Sequence, residues 1–197
     1  MKNILTISLF LICGLCFGQN PQNIEIFETS CDSVYENKGY KIVLVYSQSG
    51  IDTLGNNTVF QLLKTTDSKQ KTIFQDTVFS QTGVVEFRDF NNDGIKDILL
   101  HCASDVRSNG HYYLYLVDTV HDKLQKIKGF EDIKNPRYLP QHNLIDNYVV
   151  SGKNWTCFYK IQGDSIRDFD IVIFDDQSRD GAYERLYKRA IQKITKE

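Results

Sequence analysis

The sequence predicts an all-β fold, an array of antiparallel hairpins followed by one C-terminal amphipathic helix. Short apolar runs recur at intervals of about 8–15 residues, as is typical of antiparallel all-β proteins. Helical periodicity is confined to the last segment of the chain. With 3 prolines, 12 glycines and no low-complexity tract, the composition argues against a disordered or collagen-like chain.

The first segment has the composition of a secretory signal peptide. Lys2 supplies a positive charge, Ile4–Phe17 is an almost continuous apolar run, and the small residues Cys16 and Gly18 flank Phe17. The run is shorter than the roughly 20 residues that a membrane-spanning helix needs. We therefore predict cleavage after Gly18, which leaves residues 19–197 as a single β-rich domain, exported to the periplasm or secreted.

Two alternatives to cleavage are an uncleaved anchor and a lipid attached to Cys13 or Cys16. Lipid attachment is disfavoured because Ile12 and Leu15, rather than small residues, precede these cysteines. The sequence after residue 18 contains no apolar run of membrane length, so no transmembrane segment is expected in the mature chain.

Charge and cysteine content limit the possible partners and cross-links. A net charge of −2 gives no electrostatic attraction to nucleic acid, which is therefore not an expected partner. Export would favour disulfides, but the odd number of cysteines after residue 18 leaves one thiol over. Cys102–Cys157 is the preferred pair because both lie in strand-like apolar runs. The pairings with Cys31 stay open.

The strands are predicted from apolar and β-branched runs bounded by turn residues. The first two are joined by a turn-like segment, residues 47–57, which indicates a hairpin. Gly163–Asp170 is predicted to be a short linker. In chain order, the predicted strands are Tyr40–Tyr46, Thr58–Leu63, Ile73–Val78, Val84–Phe90, Ile98–Cys102, Tyr112–Val117, Leu124–Ile127, Tyr148–Val150, Thr156–Ile161 and Phe169–Phe174.

The chain ends in a predicted helix over residues 182–195. Its apolar residues recur at helical spacing and form one face, and Asp180 is a candidate N-cap. That face comprises Tyr183, Leu186, Tyr187, Ala190, Ile191 and Ile194. A helix packed on a sheet is favoured over an arm that binds a partner.

The most specific motif is the segment Asp89–Asp97, which has the spacing of a calcium-binding loop. Calcium prefers six to eight oxygen ligands, which a tightly wound loop with a glycine at its sixth position provides. Gly94 occupies that position. The candidate ligands are the side chains of Asp89, Asn91, Asp93 and Asp97 and the backbone carbonyl of Ile95.

The flanking sequence argues against an EF-hand. Leu100 stands at the twelfth loop position, where an EF-hand has a bidentate glutamate, and strands rather than helices are predicted on both sides. The motif therefore predicts a calcium site in a strand–loop–strand arrangement. The alternative is a polar turn whose Asp and Asn side chains only cap the backbone.

The segment FRDFNNDGIKDILLHCASDVRSNGHYYLYLVD resembles the DxDxDGxxD loop of FG-GAP and VCBS repeats, which occur in integrin-type β-propeller blades. It is still more similar to a family of exported bacterial proteins with one such loop, a glycine-containing bend and an aromatic YxLYLxD strand. Members include a periplasmic calcium-dependent inhibitor of a lysozyme-like toxin. The resemblance covers residues 84–175, while residues 19–75 match only in strand rhythm.

This resemblance implies a small β-propeller-like array of hairpins. It also implies that Asp89, Asn91, Asp93, Ile95 and Asp97 bind Ca²⁺. Asn91 replaces an aspartate that is common in the repeat, and the loss of one negative charge is expected to weaken the affinity.

The sequence contains no recognisable catalytic motif, and we expect that the protein is not an enzyme. The histidines occur in no HExxH or HxH pattern, and no GxSxG elbow or P-loop is present. His101, Asp105 and Ser108 could be considered as a triad, but they lie within one strand end and bend, whereas triads usually converge from separate elements.

The aromatic strand after the bend is a candidate partner-binding surface. Tyrosine is enriched at interfaces because it offers a large area with a polar end. Alternation places Tyr113 and Tyr115 on one face and Tyr112 on the other, and one of these faces must be core. The other face, with the bend Ser104–Gly110, is expected to contact a partner.

Together these features predict an exported calcium-binding β module that binds a macromolecule, as an inhibitor or immunity partner of a cell-wall hydrolase. One alternative is a carbohydrate-binding or surface hydrolase module in which calcium is only structural. Another is a scaffold domain of the cell envelope.

Overall fold

The computed structural model describes residues 23–36, 38–67, 69–176 and 181–196. The predicted signal peptide and the candidate N-cap Asp180 lie outside these ranges. Among the described residues, no helix is both long enough and apolar enough to cross a membrane.

The first sheet is an antiparallel meander of four strands from a contiguous part of the chain. They are β1 (Ile24–Ser30), β2 (Tyr40–Ser47), β3 (Thr58–Thr66) and β4 (Lys69–Val78), paired in the order β1-β2-β3-β4. A one-turn helix, α1 (Asp32–Tyr35), joins β1 to β2. Neither β1 nor α1 was predicted from the sequence.

The second sheet repeats this pattern. Its strands are β5 (Val85–Arg88), β6 (Asp97–Ser104), β7 (Gly110–Asp118) and β8 (Lys123–Lys126), again in sequential order. The ladder between β6 and β7 shifts register between His101 and Ala103, so Cys102 lies at a bulge. The hairpin between β5 and β6 encloses the predicted calcium loop.

The third sheet and a small two-stranded ladder follow a single 3₁₀ turn, Phe130–Asp132. The third sheet has the order β9-β10-β12-β13, and β11 pairs with β14. The strands are β9 (Pro136–Leu139), β10 (Leu144–Asn147), β11 (Asn154–Thr156), β12 (Phe158–Gln162), β13 (Ser165–Asp168) and β14 (Ile173–Asp175).

The C-terminal helix α2 (Ala182–Ile194) packs on the third sheet. Tyr183, Tyr187, Ala190, Ile191 and Ile194 form the packed face, as predicted. The prediction is wrong for Leu186, which is 47% exposed.

The sheets and α2 form a stack with an apolar core between each pair of neighbouring layers. The second sheet is buried on both faces because its strands alternate between two cores. Ile98 and Leu100 face the first core, shared with the first sheet, whereas Leu99 faces the second core, shared with the third sheet. Leu144 and Phe158 of the third sheet face a third core, which α2 covers.

The all-β architecture with a C-terminal helix is thus confirmed, with local corrections. The predicted linker Gly163–Asp170 contains β13. The predicted strand Tyr148–Val150 contributes only an isolated bridge, Val149 to Trp155, and the strand in this region is β10. The described sheets are open and none closes into a barrel.

The preferred disulfide Cys102–Cys157 is wrong, because all three cysteines of the described chain are free thiols. Cys31 is fully buried in the first core. Cys102 lies on β6 of the second sheet, and Cys157 lies between β11 and β12. Cys102 and Cys157 both lie in apolar segments of the sequence, but this shared property does not bring them together in the fold.

Candidate metal site

The predicted loop closes the hairpin of β5 and β6. Arg88 and Asp97 are paired residues of the ladder, so the segment between them is the hairpin connection. Both flanks are strands, which agrees with the strand–loop–strand prediction and not with an EF-hand.

The carboxylate of Asp89 organises the backbone of this loop. Its Oδ1 accepts hydrogen bonds from the N–H groups of Asn91 (3.1 Å) and Asn92 (2.6 Å). Its Oδ2 accepts one from the N–H of Gly94 (3.0 Å). Gly94 has φ +83°, a left-handed conformation that glycine adopts without a steric penalty. The chain therefore winds tightly around the first candidate ligand.

Asn91 and Asp93 continue the winding. The Asn91 Oδ1 accepts the N–H of Asp93 at 3.1 Å, and the Asp93 Oδ1 accepts the N–H of Ile95 at 2.7 Å. The Asn91 Nδ2 also donates to the Asp93 Oδ2 at 2.8 Å. Each of these two side chains thus forms an Asx turn, and its hydrogen bond to the backbone helps to fix the path of the loop.

Asp97 differs from the other candidate ligands because it is fully buried. Its Oδ2 accepts the N–H of Phe90 (2.8 Å), and its Oδ1 accepts the N–H of Val117 on β7 (3.0 Å). Burial, the largest effect, raises the pKa of Asp97 to about 7, and the negative charges of Asp93 and Asp89 add to this rise. Asp97 therefore anchors the loop to the neighbouring strand.

Ile95 connects the loop to the first core. Its side chain packs against that core, while its N–H is held by Asp93. The position of its backbone is therefore fixed from both sides, as a carbonyl ligand would require.

These donors suit a hard cation in their chemistry. Three carboxylates, one amide oxygen and one carbonyl come from nine consecutive residues, and calcium prefers such oxygen donors. No three acidic, histidine or cysteine side chains of the described chain converge closely enough to hold an ion. Asn91 and Asp93 are turned toward each other, so binding would require these two side chains to reorient.

A cavity of about 360 Å³ lies beside the loop. Asp89 and Asn92 line one side, and Arg137 and Tyr138 of β9 line the other. Burial raises the pKa of Tyr138, and the charges of Asp89 and Asp97 raise it further. The proximity of β9 to the loop was not predicted from the sequence, because the two are far apart in the chain.

The predicted tyrosine surface is not an open face. Tyr115 is completely buried, and its ring stacks on Phe60 of the first sheet with a centroid distance of 4.6 Å. Its hydroxyl donates to the Asp76 Oδ2 at 2.9 Å. The expectation that one face of this strand is exposed is wrong because the second sheet has a neighbouring sheet on both sides.

Tyr112 and Tyr113 are half-buried on opposite faces of β7. Tyr112 packs on the second core, and its ring meets His101 edge to face at 5.4 Å. Tyr113 packs on the first core, with the Lys126 Nζ 4.7 Å from its ring centroid. Both rings therefore contribute to packing.

The bend Ser104–Gly110 is held by polar side chains. The Asp105 carboxylate accepts hydrogen bonds from the Nζ of Lys134 at 2.8 Å and from the Nδ2 of Asn109 at 2.9 Å. Lys134, followed by Asn109, holds the pKa of Asp105 well below its usual range. Asn109 is itself buried and bonds both the N–H and the C=O of Val150, which ties the bend to the chain after β10.

The residues considered as a triad are not assembled as one. The ring nitrogens of His101 contact the hydroxyls of Thr82 (2.8 Å) and Ser104 (3.0 Å). Asp105 instead binds Asn109 and Lys134.

Comparison with known proteins gives no family assignment: no family model matches the chain, and no curated protein matches it.

Proposed function

We propose that the chain is an exported calcium-binding β module that binds a macromolecular partner, acting as an inhibitor or immunity partner of a cell-wall hydrolase. The observation that carries this proposal is the Asp89–Asp97 loop, whose acidic and amide side chains already wind the backbone. The family resemblance of residues 84–175 supports the inhibitor role.

The same resemblance supports a propeller-like arrangement of the sheets. Three successive four-stranded antiparallel sheets stack face to face, as blades of a propeller do. In this proposal α2 covers the open face of the third sheet, where a further blade would otherwise pack.

In the calcium-bound protein, Asp89, Asn91, Asp93, Asp97 and the Ile95 carbonyl would hold the ion. The ion would supply positive charge among carboxylates that otherwise repel one another. Asp97 would transmit the ordering of the loop to β7, because it bonds the backbone of both.

Thermal unfolding with and without calcium tests the metal site. Extracellular calcium modules have dissociation constants of about 10⁻⁴–10⁻³ M. At ten times the dissociation constant, linkage stabilises the folded state by about 1.4 kcal/mol. For a domain of this size, that corresponds to a rise in melting temperature of about 3–6 °C relative to EGTA.

Asp89→Ala and Asp93→Ala should abolish this calcium-dependent rise. Asp52→Ala is the matched control, since Asp52 also caps its own turn, through the N–H groups of Leu54 and Asn56, but lies outside the motif. Identical melting in calcium and EGTA, with no heat of binding by calorimetry, would show that the loop is only a polar turn.

Affinity capture from envelope extracts tests the partner. We expect the chain lacking residues 1–18 to retain a peptidoglycan hydrolase in calcium and to release it in EGTA. Retention of polysaccharide alone would instead favour the carbohydrate-binding alternative.

Mass spectrometry of the exported protein should find Gln19 at the N-terminus, and a lipid on Cys13 or Cys16 would contradict the predicted cleavage.

A further inference from the structure

A cleft of about 320 Å³ opens between the first sheet and the segment that leads into the second. One wall comes from β1 and β2, and the other from residues 81–83. The second sheet does not cover β1: Phe27 is 42% exposed, although its ladder partner Leu44 is only 1% exposed. An aromatic side chain on the inner face of a sheet therefore remains open to solvent.

The lining of the cleft combines two aromatic side chains with several polar ones. Phe27 and Tyr46 lie on neighbouring strands, and Gln48, Gln81 and Glu25 also line the space. Of the described residues that line it, none is lysine, arginine or histidine. An anionic ligand is therefore disfavoured, and a single carboxylate is too few for a cation site.

Several polar groups of the cleft are available to a ligand. The Gln81 Oε1 accepts the N–H of Ser104 at 3.0 Å, which fixes this side chain and leaves its NH₂ group unpaired within the described chain. The carboxylate of Glu25 and the hydroxyl of Tyr46 also have no hydrogen-bond partner among the residues described. A purely apolar ligand would leave these groups desolvated and unpaired, at a cost in binding free energy.

Gly83, in the second wall, leaves space in the cleft beside Phe27. A Cβ at this position would lie 3.5 Å from the Leu44 Cδ1 and 3.6 Å from the Phe27 Cδ2, in van der Waals contact with both. Any larger side chain would extend into the space beside Phe27. Glycine at this position thus allows the positive φ of +66° and also leaves the cleft free of a side chain.

We propose that this cleft binds an uncharged saccharide. A sugar ring presents an apolar C–H face, which Phe27 and Tyr46 would contact, and a rim of hydroxyl groups that donate and accept hydrogen bonds. Gln48 and Gln81 offer amide groups, and Glu25 offers an acceptor, to that rim. The volume lies at the lower end of small-molecule sites, which suits one or two sugar rings. The proposal does not depend on calcium binding.

Titration followed by amide NMR tests the site. Chitobiose, cellobiose, maltose and, as a peptide comparison, trialanine would be added to the purified chain in EGTA. At least one disaccharide should produce saturable shifts at Phe27, Tyr46 and Gly83. Absence of saturable shifts with all three disaccharides, shifts confined to another surface, or saturable binding of trialanine alone would overturn the proposal.

Variants distinguish binding in the cleft from binding to any exposed aromatic side chain. Phe27→Ala should weaken disaccharide binding by about tenfold or more, as is typical of an aromatic anchor. Phe174→Ala is the matched control, because Phe174 is 51% exposed on β14, away from the cleft. This variant should bind the disaccharide as tightly as the unmodified protein does. If Phe27→Ala does not fold, Gln48→Ala provides the second test, and unchanged affinity in that variant would overturn the proposal.

Discussion

At the scale of single residues, buried polar side chains act by completing the hydrogen bonds of the backbone. Asp97 receives one N–H from the loop and one from β7, and both of its oxygens are out of contact with water. Asp146, also buried, binds the Nε and Nη2 of Arg137 and the hydroxyl of Tyr187, and so joins the third sheet to α2. Such groups are costly to remove because their partners remain buried.

Asp97→Ala should lower the free energy of unfolding by about 2–4 kcal/mol, since it leaves two buried N–H groups without an acceptor. Asp93→Ala should cost less than about 1 kcal/mol, because Asp93 is exposed and its Oδ1 accepts a single loop N–H. Urea denaturation in EGTA measures both changes without any contribution from metal. Equal losses in the two variants would contradict the anchoring role of Asp97.

At the scale of elements, burial distinguishes the strands that were predicted from the sequence. Apolar runs such as those of β2, β6 and β7 are long because they are buried, and the loop motif is recognisable because its ligands lie close in sequence. β1 was missed because nearly all of its side chains are exposed, so burial imposes no pattern on it. β9 begins at a proline, and three of the four residues of β13 are polar. The contact of Asp97 with Val117 crosses between strands, so local spacing could not reveal it.

Helix α2 offers a test of this packing by matched substitutions. Ile194→Ala should destabilise the protein by about 2–3 kcal/mol, because Ile194 is buried in the third core. Leu186→Ala should change stability by less than about 0.5 kcal/mol, because Leu186 faces solvent. Thermal and urea unfolding of the two variants would check this difference. A larger loss for Leu186→Ala would show that the helix face is assigned incorrectly.

At the scale of the whole molecule, the layers are held by apolar cores and polar contacts without a cross-link between the described cysteines. Cys31 lies in the first core, and burial, the main cause, raises its pKa to about 12. A thiol with such a pKa is protonated at neutral pH and is a poor nucleophile. The cysteines therefore behave as packing residues in the folded chain.

The chain beginning at Gln19 should accordingly take up three alkyl groups from iodoacetamide when it is denatured without reductant. The folded chain should react slowly, and Cys31 most slowly of the three because it is fully buried. Mass spectrometry of intact and digested protein measures both. Uptake of a single group by the denatured chain would show that two cysteines are joined in a disulfide.

The contiguity of each sheet along the chain has a consequence for the order of folding. Residues 24–78 contain the whole first sheet, residues 85–126 the second, and residues 136–168 the third. Pairings between neighbours in sequence form early, because short loops close at little entropic cost. A chain that emerges N-terminus first can therefore complete one sheet before the next arrives. The third core, which contains Leu144 and Phe158, is completed by α2, the last element. Until the final residues are available, part of this apolar surface is therefore exposed and prone to aggregation.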